Sequence, residues 1–449
     1  GTMSFSDVIA PSIDLADGMP LDETRANSIV RSRRFFELWP TSKTVFTPTG
    51  QMPIPGDVFR QPDLARTLRA MAAAEQRALK GGASRREAIN AVRDFFYRGE
   101  IARKIDAFSK ANGGLLRYED MASFRLKPEE PLSVTYRGYK VYKPGFWSQG
   151  PVLLQALNML EPENLSALGH NSTPYLHKLV ETMKLAYADR DTYYGDPAFA
   201  KVPTDVLLSK QYGSDRRSAI LPEASLDFLP GIIPGQTARH PSVADMARAR
   251  IDDELMARDT TCINAIDKDG VMFSATPSGA WLPSVIAGDT GIPLTQRAQS
   301  FLLIPGHPNE LAGGKRPRVT LSPTLVTKDG KPSMTLSTPG GDNQDQALLQ
   351  IFLDVVEFGM NAQNAIEAPR FQTRHLVSSF DNHAMNRGDL LLDERISPTV
   401  FSELTNKGHK TSTRSRWNSG AYPIIIRVLP NGAIEAGADP YGYRNAQAW

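Results

Sequence analysis

The sequence predicts an α+β chain of αββα type, in which two packed sheets are covered by helices. Two observations carry this. Residues 1–130 read mostly helical, whereas past Thr260 the chain becomes strand-rich. There Asp267-Lys268-Asp269-Gly270, Lys328-Asp329-Gly330-Lys331 and Asn431-Gly432 each mark a turn between short strands. Two-faced strands in hairpins, with helices before and between them, bury both faces as sheets layered under helices.

A chain of 449 residues with 41% apolar and 22% charged content has room for one large or two medium domains. A net charge of +2 gives no broad electrostatic attraction for nucleic acid or a membrane surface. Cys262 is the single cysteine, which excludes an intrachain disulfide and fits a reducing, cytoplasmic compartment. No apolar run has the length of a membrane span, and Gly1-Thr2-Met3-Ser4-Phe5 has neither the basic end nor the apolar core of a signal peptide.

In chain order, Pro62-Asp63 opens an alanine-rich amphipathic helix that runs through Lys80 and stops at Gly81-Gly82. Ser84 and Glu87 have the spacing of a capping box for the next helix. Ile101, Ile105 and Phe108 recur at helical spacing up to Asn112-Gly113-Gly114. Residues 133–143 alternate as a strand, and Trp147 follows in a loop where it either lines a pocket or packs the loop onto the core. In the helix around residues 175–191, Leu176, Leu179, Met183 and Ala186 form a plausible buried stripe. His177 and Glu181 stand four apart on it, but no second histidine or third ligand is near in sequence, so no metal is expected. From about Ser209 to Asp259 the composition shifts to proline, glycine and charge, which reads as a mobile surface segment.

The chemistry centres on Arg258-Asp259-Thr260-Thr261-Cys262, at the head of a short apolar strand. A threonine hydroxyl is a weak nucleophile and needs a base beside it. The α-amine of the same residue, titrating at about pH 8, is one such base, and it exists only if the preceding bond is cut. Thr260 is therefore a candidate nucleophile and Asp259–Thr260 a candidate self-cleavage site, although a threonine pair also serves as plain β-branched strand filler. Thr261 and the intrinsically more reactive Cys262 are rival nucleophiles. Gly340-Gly341 ends a strand ahead of a helix; backbone N–H groups there can hold an oxyanion, or the pair is a simple turn.

Five motifs in order, TTCINAIDKDG, SGAWLPSVIAGDTGIPL, GKRPRVTLSPTLVTKDGKP, STPGGDNQDQ and AIEAPRF, closely resemble the small subunit of γ-glutamyltransferases. FYRGEIARKI, YEDMASF and YRGYKVY resemble the large subunit. The resemblance implies an αββα N-terminal-nucleophile hydrolase sandwich in which residues 1–259 belong to a large subunit and 260–449 to a small catalytic one, held together as one unit. It implies a heterodimer open to further dimerisation, no cofactor, a small-molecule amide substrate, and water or an amine as acyl acceptor. It places the start of the chain inside a large-subunit helix, about 150 residues from that subunit's own beginning. A leader, and with it a periplasmic location, would belong to that earlier part.

By the same resemblance Thr260 is the nucleophile, Ser278 keeps the hydroxyl that orients it, and Gly340 and Gly341 form the oxyanion hole. The substrate-contacting asparagine falls on Ala280 or Trp281. The aspartate that holds the substrate amine falls at Ser300, and a serine pair becomes Val319-Thr320. The catalytic groups are thus kept while the clamp for a free amino acid head is largely lost. The competing reading is an unprocessed homologue that binds a ligand or partner without turnover.

Overall fold

The computed structural model describes residues 1–242, 260–280, 282–442 and 444–448; Asp259 and Trp281 lie outside them. Residues 1–128 and Gly279–Gln296 form one compact unit, and residues 129–242, 260–278 and 297–448 a second.

The first unit is helical. α1 (Phe5–Asp17) starts at a capping box between Ser4 and Asp7. α2 (Pro62–Lys80) begins with proline at a position where its missing N–H costs nothing. α3 (Arg85–Tyr97) carries the expected Ser84/Glu87 box, and α4 (Glu100–Ala111) follows. Ile101, Ala102 and Ile105 bury against Met121 and Ala287, while Phe36 and Phe46 stack with ring centroids 4.9 Å apart. No described helix is long and apolar enough to cross a membrane.

The second unit is built on a six-stranded antiparallel sheet. Its members are β1 (Leu132–Tyr136), β2 (Tyr139–Lys143), β5 (Thr324–Lys328), β6 (Lys331–Ser337), β10 (Ile424–Val428) and β11 (Ile434–Ala438). They run in the order β11-β10-β6-β5-β2-β1. A separate hairpin of β3 (Ile263–Ile266) and β4 (Met272–Ala275) lies on this sheet, because Asn264 reaches both Ser337 and the Ile424 carbonyl. β7 (Phe371–Gln372), β8 (Asp389–Asp393) and β9 (Lys410–Arg414) make a smaller sheet with a parallel β8–β9 pair. α5 (Pro151–Leu160), α6 (Thr173–Tyr193) and α7 (Gln344–Val356) share one core with Val141, Val326, Leu336 and Ile425 of the large sheet. The expected turns form: Asp329-Gly330 closes β5–β6 with both φ positive, and Gly432 turns β10 into β11 at φ 83°.

Three expectations are corrected. Residues 133–143 are not one strand but the hairpin β1–β2, turning at Arg137-Gly138 with φ of 50° and 81°. The aromatic residues on both sides, Tyr136 and Tyr139, continue the alternation across the turn and hide it. α6 does not bury one stripe but nearly every face, including Asp189, Arg190 and Asp191. These charges survive burial because each is paired: Asp189 with Arg216 at 3.2 Å, and Asp191 with both Arg190 and Arg318 at 2.7 Å. Within the stretch read as mobile surface chain, Lys210–Arg217 is helical and Gly231 is pinned, its N–H donating to Asp189 at 2.7 Å and its carbonyl accepting from Tyr193. Residues 243–259 of that stretch lie outside the described residues.

Candidate active site

Thr260 stands just ahead of β3, before the chain enters the hairpin, and is partly exposed. Its Oγ1 donates to Ser278 Oγ at 3.1 Å, so the residue eighteen positions on is brought against the candidate nucleophile. Hydroxyl-to-hydroxyl geometry of this kind fixes the rotamer of a side chain that must present a lone pair in one direction. Arg444 supports the same place from the C-terminal segment, with Nη2 3.5 Å from the Thr260 carbonyl and Nη1 3.2 Å from Thr261 Oγ1. The Thr261 hydroxyl is thereby engaged, and its N–H donates to the Pro277 carbonyl.

Cys262 is buried, and burial pushes its thiol above the usual range despite Arg444 and the Ser337 hydroxyl nearby. A thiol held protonated in this way is a poor nucleophile. Its contact with Ser337, at the end of β6, ties the head of β3 to the strand that leads into Gly340.

Gly340 has φ 133°, and a Cβ there would lie 2.5 Å from the Gly420 carbonyl oxygen. At Gly341, φ is 56° and a Cβ would lie 2.9 Å from Phe380 Cε2. Both positions require glycine on two counts. The carbonyls of this loop are used inward: Gly340 O accepts from Asn343 N at 2.9 Å and Gly341 O from Gln149 Nε2 at 3.2 Å. Among the described residues neither glycine N–H meets an acceptor. The next residue is fixed from below. Asp342 accepts from Arg190 at 2.5 Å and from the Ser379 hydroxyl and N–H at 2.7 and 2.9 Å. Burial alone would raise its carboxyl, but Arg190 and Ser379 hold it below the ordinary value.

The expected substrate-side residues cluster around a short turn, Arg297–Ser300. Ser300 is fully buried and its Oγ has no hydrogen-bond partner among the described residues. Thr320 is fully buried, with its Oγ1 3.5 Å from Arg297 Nη1. Trp281 lies outside the described residues, as does Asp259. Trp147 is a loop-packing residue: its Nε1 donates to Glu129 at 2.7 Å and Arg316 stacks over the ring at 5.0 Å.

Arg297, Arg444, Phe380 and the Arg190–Asp342 pair were not singled out from the sequence. Only for Arg297 was a local signal present, a basic residue three positions before Ser300. The expectation that His177 and Glu181 lack a third ligand is also corrected. His409 joins them, with its Nε2 2.9 Å from His177 Nδ1 and 4.0 Å from Glu181. It arrives from 232 positions away in the chain, beyond any local pattern. Lys184 already holds Glu181 at 2.5 Å, which places a competing cation where a metal would sit.

The fold is that of the N-terminal-nucleophile hydrolases, and within it a threonine stands at the head of one strand and a glycine pair at the end of a neighbouring one. The family model for gamma-glutamyltranspeptidase matches residues 1–449. Glutathione hydrolase proenzyme of Pseudomonas sp. (strain A14) is 34% identical over 98% of this chain and 71% of its own length. Acylase ACY 1 proenzyme of Pseudomonas sp. (strain V22) is 29% identical over 98% of this chain and 70% of its own. A solved structure of cephalosporin acylase from Bacillus halodurans superposes with a TM-score of 0.82 at 28% identity, covering 100% of this chain and 75% of that one. The chain belongs to the gamma-glutamyltranspeptidase family. It is a self-processing enzyme of amide hydrolysis and acyl transfer, and family members are processed into a large and a small subunit that remain paired.

Proposed function

We propose that the chain cleaves itself between Asp259 and Thr260 and then uses Thr260 to hydrolyse or transfer the acyl group of a small-molecule amide. The observation that carries this is the 3.1 Å contact between Thr260 Oγ1 and Ser278 Oγ. In processing, Thr260 Oγ attacks the Asp259 carbonyl and the C–N bond breaks in favour of an ester, leaving the Thr260 amine free. Water then cleaves the ester and restores the hydroxyl, giving residues 1–259 and 260–449 as subunits. In turnover the free α-amine takes the proton from Oγ as it attacks the substrate carbonyl, and passes it to the leaving amine. The Gly340 and Gly341 N–H groups are positioned to receive the oxyanion, and Ser278 holds the Oγ rotamer. Water or an amine then removes the acyl group. Intact mass of the purified protein tests the scheme: cleavage elsewhere, or a single chain, would overturn it.

Cys262→Ala is expected to leave the extent of cleavage unchanged by mass, because its buried thiol is held protonated. An uncleaved Cys262→Ala chain with native thermal stability would return the thiol to candidacy.

The printed names of the relatives include both glutathione hydrolase and acylase. Ser300, buried where the family resemblance expects the amine-binding aspartate, favours an acyl group without a free α-ammonium. Burying that ammonium with no carboxylate is costly. Glutathione is therefore expected to show a kcat/KM about 10²-fold or more below that of a short acyl amide lacking the amine. Glutathione turnover matching the best acyl amide in steady-state kinetics would remove this part of the reading.

A further inference from the structure

We infer that Gln149, in the loop between β2 and α5, is a positioning residue for the oxyanion site: its side-chain amide holds the Gly341 carbonyl and so fixes the direction in which the glycine loop presents its N–H groups. This rests on the hydrolase reading above, in which those N–H groups receive the oxyanion.

Both carbonyls of the glycine pair are turned inward. Gly340 O accepts from Asn343 N at 2.9 Å, and Gly341 O accepts from the Gln344 N–H. A trans peptide points its N–H opposite to its carbonyl, so the Gly341 N–H faces the other way, outward. These two bonds close the turn on itself and move with it. They do not set where the turn points, and glycines at φ 133° and 56° resist rotation less than any other residue. Gln149 supplies a hold from outside the turn. It is fully buried, its Nε2 donates to Gly341 O at 3.2 Å, and its Oε1 accepts from Arg190 at 3.0 Å. A guanidinium only donates and a carbonyl only accepts, so a single orientation of the amide satisfies both. The backbone beneath it is stitched in turn: Gln149 N donates to Val319 O at 2.8 Å, and Val319 N to Trp147 O at 2.9 Å. At the start of the same loop the buried Lys143 lies 2.8 Å from Asp345 and donates to the Ser322 and Thr324 hydroxyls at 2.6 and 2.7 Å. The loop is thus anchored at both ends, and Gln149 does not drift with the glycines it holds. It lies before the Asp259–Thr260 bond and the glycine pair after it, so one half of the chain aims the oxyanion donors of the other.

Gln149→Leu removes the amide at similar volume. Gln149→Glu keeps the length and the acceptor toward Arg190 but, ionised, has no hydrogen to give Gly341 O. Both variants are expected to cleave at Asp259–Thr260 to the wild-type extent by intact mass, since the amide is spent on Gly341 and Arg190 and the Thr260 hydroxyl on Ser278. In hydrolysis of butyryl-, glutaryl- and γ-glutamyl-p-nitroanilide, each variant should lower kcat about 10- to 100-fold while KM changes less than about 3-fold. Hydrogen–deuterium exchange should be faster over residues 338–345 in both variants and unchanged over residues 346–356. A role confined to folding would instead lower the yield of cleaved protein and leave kcat of the cleaved fraction alone. A kcat within about 2-fold of wild type in both variants, or exchange over 338–345 that does not change, would overturn the assignment. Wild-type kcat in Gln149→Glu alone would also overturn it, by tracing the loss in Gln149→Leu to the Arg190 contact. Failure of the hydrolase reading looks different: the wild type turns over none of the anilides, while exchange over 338–345 still decides whether Gln149 holds the loop.

Discussion

Thr260→Ala is expected to run as a single 49.4 kDa chain where the wild type separates into two, and to lose amide hydrolysis by about four orders of magnitude or more. Two losses coincide in this variant. The attacking oxygen is gone, and without cleavage no α-amine is released at position 260 to act as base. Ser278, left without its hydroxyl partner, has nothing to orient. Thr260→Ser separates the contributions, since it keeps Oγ and the contact to Ser278 but drops the methyl group that restricts χ1. It should cleave more slowly than wild type yet reach a processed form with measurable turnover. Mass spectrometry over a time course, followed by assay of the processed fraction, reads both steps. Cleavage of Thr260→Ala at the same bond would reject the nucleophile assignment.

Much of the frame was legible because its signals are local. Asp-Gly and Asn-Gly pairs need positive φ and announced the turns at Asp329-Gly330 and Asn431-Gly432. Ser84 and Glu87 announced a helix start through a contact three residues long. The threonine doublet, its serine partner and the glycine pair were also readable, since each is a short pattern whose chemistry depends on few neighbours. What stayed hidden depends on distant chain. The burial of α6 on all faces cannot be read from a segment carrying Asp189, Arg190 and Asp191, because their partners are Arg216, Asp342 and Arg318. His409 meeting His177 is of the same kind. Arg297 was visible as a residue but not as a buried cation, since Thr320 and Phe380, which lie against it, come from later parts of the chain.

Arg190→Met tests how the glycine loop is held in place, and should cost about 3–5 kcal/mol of stability. Arg190 is fully buried and spends its donors on Asp342, Asp191, Gln149 and the Val377 carbonyl. Methionine fills much of the volume but leaves the Asp342 carboxylate, 12% exposed, without its main counter-charge. Arg318 still holds Asp191, so the unpaired charge falls chiefly on Asp342. The pH dependence separates this from simple loss of packing. In the wild type Asp342 is held below its ordinary value of 3.8, so its contribution is present above that pH and is lost only as pH falls through the lowered value. In Arg190→Met burial dominates, the carboxyl rises above 3.8, and protonation at mildly acidic pH relieves the buried charge. The variant should therefore gain stability relative to wild type as pH is lowered from 7 toward 5, in chemical denaturation followed at each pH. Because Asp342 directly follows Gly341, its displacement should also lower kcat more than it raises KM, the mark of an oxyanion site set slightly out of place. A deficit that is constant across this pH range, or a cost below about 1 kcal/mol, would show that the loop is held by its backbone contacts to Gly420 and Asn343 instead of by this ion pair.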